Sequence, residues 1–233
     1  DLGISAALDY ITNYFGIARE QKNEFETLDN ADAKIFQKYA GRANHKSIKG
    51  REIIYETYDD SILNRFSYIP IVPWLKEGIS QEVMNEARIG YYPGGEQITI
   101  PHYDVNGYLV GIRGRALNEW EIENVGKYLP VQIEGKWYSH PLSLNLYGLN
   151  KTIENIRNYG ICYIFEAEKS VLLCENFSFP NCGVAVCGSQ FNKYQLDILM
   201  RYARPREIVL CFDNEEKAGS DIYFQKLWKM CSK

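Results

Sequence analysis

Histidine is scarce in this chain, and closely paired cysteines are missing. Three histidines are spread over 233 residues, and the six cysteines, Cys162, Cys174, Cys182, Cys187, Cys211 and Cys231, include no Cys-x-x-Cys pair. Zinc modules need such pairs, so no zinc is expected within this chain. Cys162 and Cys211 sit inside apolar runs and read as buried small hydrophobes, and the whole pattern suits a reducing cytoplasm. No apolar run is long enough to span a bilayer and no signal-peptide pattern opens the chain, so no membrane association is expected. A chain that opens on Asp1 rather than Met is expected to be processed or excised from a longer protein. Basic charge is not in excess either: the formal net charge is -4. That excludes a blanket basic protein and leaves room for a local basic groove beside metal-binding acids. Repeats and low-complexity segments are absent.

What is present is a core-forming composition. The chain is 45% hydrophobic and 24% charged, enough for one or two globular domains. Its 18 tyrosines fit either a Tyr-rich core and surface or stacking on bases. Residues 4 to 16 place Leu8, Ile11 and Phe15 on one helical face. The most basic segment follows, with Arg42, His45, Lys46, Lys49 and Arg51 in a solvated loop or a phosphate contact. Residues 61 to 89 read as helical, broken at Pro70 and Pro73, with an N-cap at Ser80. "QITIPHYDVNGYLVGIRGRAL" then alternates apolar and polar residues around Asn106-Gly107, which predicts a hairpin with a type I′ turn. Short strands and turns continue over 128 to 147. Beyond residue 150 the rhythm becomes helix, strand, helix, strand, helix, strand, helix, which implies right-handed crossovers and a parallel sheet. Three segments result: 1–60, a helix and basic connector; 61–149, an α+β part with a hairpin; and 150–233, an α/β part.

Acids follow two of the three strands of that last part. "YIFEAEKSVLLC" places Glu166 and Glu168 after the first strand, Gly188-Ser189 follows the second, and "EIVLCFDNEEKAG" places Asp213, Glu215 and Glu216 after the third. Parallel sheets bind ligands beyond the carboxyl ends of their strands. If the first and third strands are neighbours, Glu166 and Asp213 share one rim. Carboxylates gathered there repel one another until a divalent cation relieves them, and hard oxygen donors favour magnesium or manganese. That combination points to phosphoryl or nucleotidyl chemistry. The competing reading is local: Asp213 and Glu166 each stand where a helix N-cap stands.

These segments resemble a known family. "YIFEAEKSVLL", "VAVCGSQFN" and "IVLCFDNEEKAG" are similar to the three core segments of the Toprim domain. "ITIPHYDVNGYLVGIRGRAL" and "HPLSLNLYGLNKTIEN" resemble the stretches that precede it in bacterial and phage-type DNA primases. The resemblance covers roughly 75 to 225 and implies an α+β subdomain with a hairpin followed by a parallel-sheet Toprim subdomain. It implies a nucleotidyltransferase that makes RNA primers on a single-stranded DNA template from ribonucleoside triphosphates. A replicative helicase would be a partner, reached through regions outside this chain. Glu166 would be the acid/base or metal-shaping group. Asp213 and Glu215, with Glu166, would hold Mg2+ or Mn2+. Arg113, Arg115, Lys151 and Lys169 would meet the template or the nucleotide.

Departures keep alternatives open. Ser170 stands where many primases have Asp. "DNEEKAG" is one residue longer than the usual acid pair, so Glu215, Glu216 and Asp221 compete for the second acid. The resemblance leads one to expect a later acid-bearing strand after these residues and a zinc module before them, and residues 3 to 16 only faintly resemble that module's last helix, so either a truncated core or an incomplete metal site is expected. A Toprim nuclease and a nucleic-acid-binding module with weak or no catalysis are therefore the alternative readings.

Overall fold

The computed structural model describes residues 55–124, 126–177, 180–188 and 190–212. The helix expected at 4–16, the basic segment at 42–51, Ser189, Asp213, Glu215, Glu216, Asp221 and the closing helix lie outside the described residues. The chain divides between Glu52 and Ile53, and every described residue belongs to the second unit, Ile53–Lys233.

The stretch read as one interrupted helix is three short pieces. A 3-10 turn, Asp60–Arg65, starts where the Asp59 carboxylate accepts from the Ser61 amide. Helix α1, Val72–Lys76, carries Pro73 in its first turn, where a missing N–H costs nothing. Gly78, at φ 97°, ends that run, and α2, Gln81–Glu86, begins where the Ser80 hydroxyl accepts from the Val83 amide, as expected. Trp74, Ile79 and Met84 from this region are fully buried.

Strands β1 (Gly90–Tyr92), β2 (Gln97–Tyr103), β3 (Leu109–Ala116), β4 (Tyr128–Ile133) and β5 (Lys136–Tyr138) form an antiparallel sheet in that order, with helix α3 (Glu119–Asn124) between β3 and β4. The hairpin predicted at β2–β3 is present, but its turn is not type I′. Gly107 has a positive φ of 85° and Asn106 does not. Instead the Asp104 carboxylate accepts from the amides of Asn106 and Tyr108, each at 2.9 Å, and the Gly107 amide donates to the Asp104 carbonyl at 3.0 Å. An aspartate that bonds its own following backbone stabilises the longer loop over the two-residue one. The two-residue turn with both φ positive occurs between β4 and β5, at Glu134 (50°) and Gly135 (78°).

Helix α4, Leu149–Tyr159, is bracketed by left-handed Gly148 and Gly160. Strand β6 (Ile161–Phe165), helix α5 (Glu168–Phe177), β7 (Gly183–Ala185), helix α6 (Lys193–Tyr202) and β8 (Glu207–Cys211) follow. The three strands are parallel, in the order β7-β6-β8. Helix α6 opens with a reciprocal cap, Asn192 accepting from the Gln195 amide and Gln195 accepting from the Asn192 amide.

The two sheets share a core. Ile98 and Ile100 of β2 pack with Trp74, Val171 and Leu172 of α5, and Ala185 of β7. Tyr147 exchanges two backbone hydrogen bonds with Ala185, at 2.9 and 3.0 Å, which ties the run before α4 to the edge of β7. Buried Gln195 donates to the carbonyls of Asn145 and Val186 and so joins the same two parts. The opposite face of the antiparallel sheet packs Ile112, Val131 and Ile133 on Leu63 and Phe66. Both faces are therefore covered.

Close packing leaves no room for a side chain at one glycine on β3. A Cβ on Gly111 would stand 2.4 Å from Nδ1 of His140, whose ring is buried against that of His102. Gly111→Ala is expected to cost about 1–3 kcal/mol by overpacking, measured as a lowered midpoint of chemical unfolding.

Candidate functional site: a strand-end glutamate beside a buried ion pair

Strands β6 and β8 run side by side in register, from Ile161 opposite Glu207 to Phe165 opposite Cys211. They end at one level. Glu166 follows β6 directly and is half-buried. Asp213 follows β8 by two residues and belongs to the chain beyond the described part. The neighbour relation on which a shared rim depends is thus present in the fold. Cys187 and Gly188 follow β7 on the other side of β6.

Glu168, at the first position of α5, is 0% exposed. Its Oε1 accepts from Arg113 Nη1 at 2.7 Å and from His102 Nε2 at 2.9 Å. Arg113 Nη1 donates also to the Cys187 carbonyl, at 3.2 Å, and its guanidinium lies 4.9 Å from the centre of the Tyr128 ring. Pairing explains the placement. Ile98 and Ile100 lie opposite Arg115 and Arg113 across the β2–β3 ladder, and His102 lies opposite Gly111. Directly opposed residues share a face, so these polar side chains share the face that carries the sheet's contact with α5.

The charges in this cluster are assigned by burial. Desolvation opposes the charged form of Glu168, but Arg113 and His102 outweigh it and hold the carboxyl well below its usual range. Desolvation also lowers His102, against the pull of Glu168. His102 is therefore a neutral imidazole whose Nε2–H donates, and Arg113 is the counter-ion. His140 is pushed down further by burial and by its neighbours His102 and Arg113. Burial keeps the Cys187 thiol protonated.

His102, Glu168 and Cys187 bring three potential ligand atoms within 4.8 Å of one another. The arginine already supplies a cation to the Glu168 carboxylate, through Oε1, and a metal there would face a fixed positive charge. Glu166, directly after β6, carries oxygen donors of the chemical type that hard divalent ions take.

The basic residues singled out from the sequence divide. Arg113 is turned inward onto Glu168. Lys169 pairs with Glu77. Lys151 donates to the carbonyl of Glu86 at 2.8 Å, at the last residue of α2, where a cation complements the helix dipole. Arg115 makes no ion pair among the described residues. Its guanidinium lies 5.9 Å from the Trp74 ring, and its buried Nε has no acceptor. Sequence reading missed His102 and the inward role of Glu168. The available signal was the i, i+2 spacing of the two glutamates: once a helix starts at Glu168, both cannot face the rim.

The histidine shifts have a signed consequence. His102 and His140 bind protons less readily folded than unfolded, so the unfolded state takes up more protons as pH falls through their ordinary 6.5. Stability is expected to fall between about pH 7 and pH 5. His140→Gln should reduce that fall, read as the difference in melting temperature between the two pH values.

No family model matches the chain. The chain is 33% identical over 250 residues to the SPbeta prophage-derived uncharacterized protein YorJ of Bacillus subtilis strain 168, covering 100% of this chain and 64% of that protein. Among solved structures it is similar to the Aquifex aeolicus primase, zinc-binding and RNA polymerase domains (TM-score 0.61, 16% identity, 96% of this chain and 60% of that one). It is similar also to a DnaG primase catalytic domain bound to single-stranded DNA (TM-score 0.56, 18% identity, 74% and 64%) and to the E. coli primase catalytic core (TM-score 0.56, 17% identity, 74% and 66%). The chain thus spans about two thirds or less of the length of these proteins. An antiparallel sheet followed by a parallel one, in this order and at these TM-scores, is the fold of the bacterial DNA primase catalytic core.

Proposed function

We propose that this chain is the nucleotidyl-transferring core of a phage-type DNA primase, which makes short RNA primers on single-stranded DNA. The observation that carries the proposal is the pairing of β6 with β8, whose in-register ends lead into Glu166 and Asp213 within a primase fold. No helix among the described residues is long and apolar enough to cross a membrane, and the proposed reaction needs none.

In this reading the template lies between the antiparallel sheet and the carboxylate rim. The 3′-hydroxyl of the growing primer attacks the α-phosphate of a ribonucleoside triphosphate in line, and pyrophosphate leaves. Glu166 receives or directs the hydroxyl proton. Glu166, Asp213 and Glu215 would hold magnesium, which when bound supplies charge neutralisation at the triphosphate. Arg115 contacts a phosphate: among the four basic candidates it is the one whose charge no carboxylate or carbonyl of the described chain takes up.

Glu166→Gln keeps the shape and removes the charge. Primer synthesis on single-stranded DNA with labelled ribonucleotides should fall by about 10²-fold or more, with the circular dichroism spectrum unchanged. An equal primer yield would overturn the assignment. The same samples incubated with labelled DNA and magnesium but no ribonucleotides test the nuclease alternative, since cutting needs no nucleotides.

Arg115→Ala should weaken binding of a single-stranded oligonucleotide and reduce the slope of log affinity against log salt by about 0.7, the share of one phosphate contact. Fluorescence anisotropy across a salt series measures both.

A further inference from the structure

We infer that Arg113 and Glu168 form a positioning pair that sets the carboxylate rim from the antiparallel sheet, an inference that rests on the function proposed above. Three observations carry it. One nitrogen of Arg113 bonds two separate turns of the parallel sheet: the turn after β6, through Glu168 Oε1 at 2.7 Å, and the end of β7, through the Cys187 carbonyl at 3.2 Å. Those turns flank the strand end that bears Glu166, and one residue, Ala167, separates Glu166 from Glu168.

The second observation is conformational. Cys187 is a non-glycine residue at φ 58°, a left-handed conformation that side chains disfavour. Such a residue persists where its surroundings fix it, and here its carbonyl is held by the guanidinium.

The third is economy of charge. A buried ion pair is a poor stabiliser, because well-packed apolar residues of similar volume commonly do as well. What such a pair supplies is direction. Arg113 stands two residues before Arg115 on the same face of β3, so the clamp fixes the strand that presents the proposed phosphate contact against the turn that presents Glu166. Arg113 and Glu168 touch neither substrate nor reacting atoms in this account. They act through Glu166 and through the strand that bears Arg115.

The test uses the whole chain and three variants: the apolar pair Arg113→Met with Glu168→Leu, and the single changes Arg113→Lys and Glu168→Asp. Each is measured for primer synthesis at varied nucleotide concentration, for melting temperature, and for binding of Mn2+ alone by electron paramagnetic resonance. The expected result for the apolar pair is a folded chain whose melting temperature is lowered by the unpaired Nε2–H of His102, a kcat lowered at least tenfold, a nucleotide KM within twofold of wild type, and Mn2+ binding weakened at least fivefold. Arg113→Lys, which keeps the charge and loses the planar fork, should show the same kcat loss in milder form, with Mn2+ affinity reduced. Glu168→Asp, which keeps the acceptor, should recover more activity than the apolar pair.

A folded apolar pair with kcat and Mn2+ affinity within twofold of wild type overturns the inference. If the apolar pair does not fold, Arg113→Lys decides, and wild-type kcat and Mn2+ binding in that variant overturn it. A wild-type chain that makes no primers removes the proposed reaction but not the clamp. The Mn2+ measurement then decides alone, and equal affinity in wild type and Arg113→Lys overturns the pair.

Discussion

A carboxylate with no exposed surface lies at the junction of the two sheets, and the rest of the described structure is arranged around it. An unpaired charge at Glu168 would be prohibitively costly there, and removing one partner of a buried pair typically costs about 3–5 kcal/mol. Arg113 and His102 meet that demand from neighbouring strands of the antiparallel sheet, β3 and β2. The requirement runs both ways. Glu168 must start α5 where it does, and the polar positions of the hairpin must face the second sheet rather than water. This polar contact and the apolar cluster of Ile98, Ile100, Val171 and Leu172 lie on the same face of the antiparallel sheet, so both favour that face as the one that meets α5.

The same arrangement apportions the positive charge. Arg113, Lys151 and Lys169 serve the protein's own carboxylates and helix ends, and Arg115 does not. A primase core must meet a polyanion, and cations already engaged internally contribute less to that meeting than their number suggests. With a net charge of -4, where the uncommitted cations stand matters more than the total. The proposed polymerase reading therefore places weight on one strand, β3, which carries the internal clamp and the proposed phosphate contact two residues apart on one face.

Much of the architecture was legible. The run "ICYIF", the run "EIVLC" and the helices between them gave the parallel strands β6 and β8, because continuous apolar runs bounded by helical patterns have few other homes. The hairpin was legible from alternation, and Ser80 from its place before an amphipathic turn. The hairpin's turn type was not. Asn106-Gly107 favours a two-residue turn locally, and the Asp104 carboxylate, bonding the amides of Asn106 and Tyr108, selects a longer one. The inward face of the hairpin was not legible either. Alternating apolar and polar residues imply one wetted face, whereas His102 and Arg113 are turned onto the buried Glu168.

The sequence by itself determined the order of elements from the β2–β3 hairpin to β8 and the acids that follow β6 and β8 along the chain, since these follow from local periodicity and from residue order. Only the tertiary structure decided that β6 lies between β7 and β8, that Glu168 turns inward while Glu166 stays half-exposed, and that Arg113 serves the fold while Arg115 is left over. The physical reason is that burial belongs to pairs of surfaces. A side chain's charge is written in its own codon, but whether it meets water or another charge depends on residues 55 positions away, as between Arg113 and Glu168.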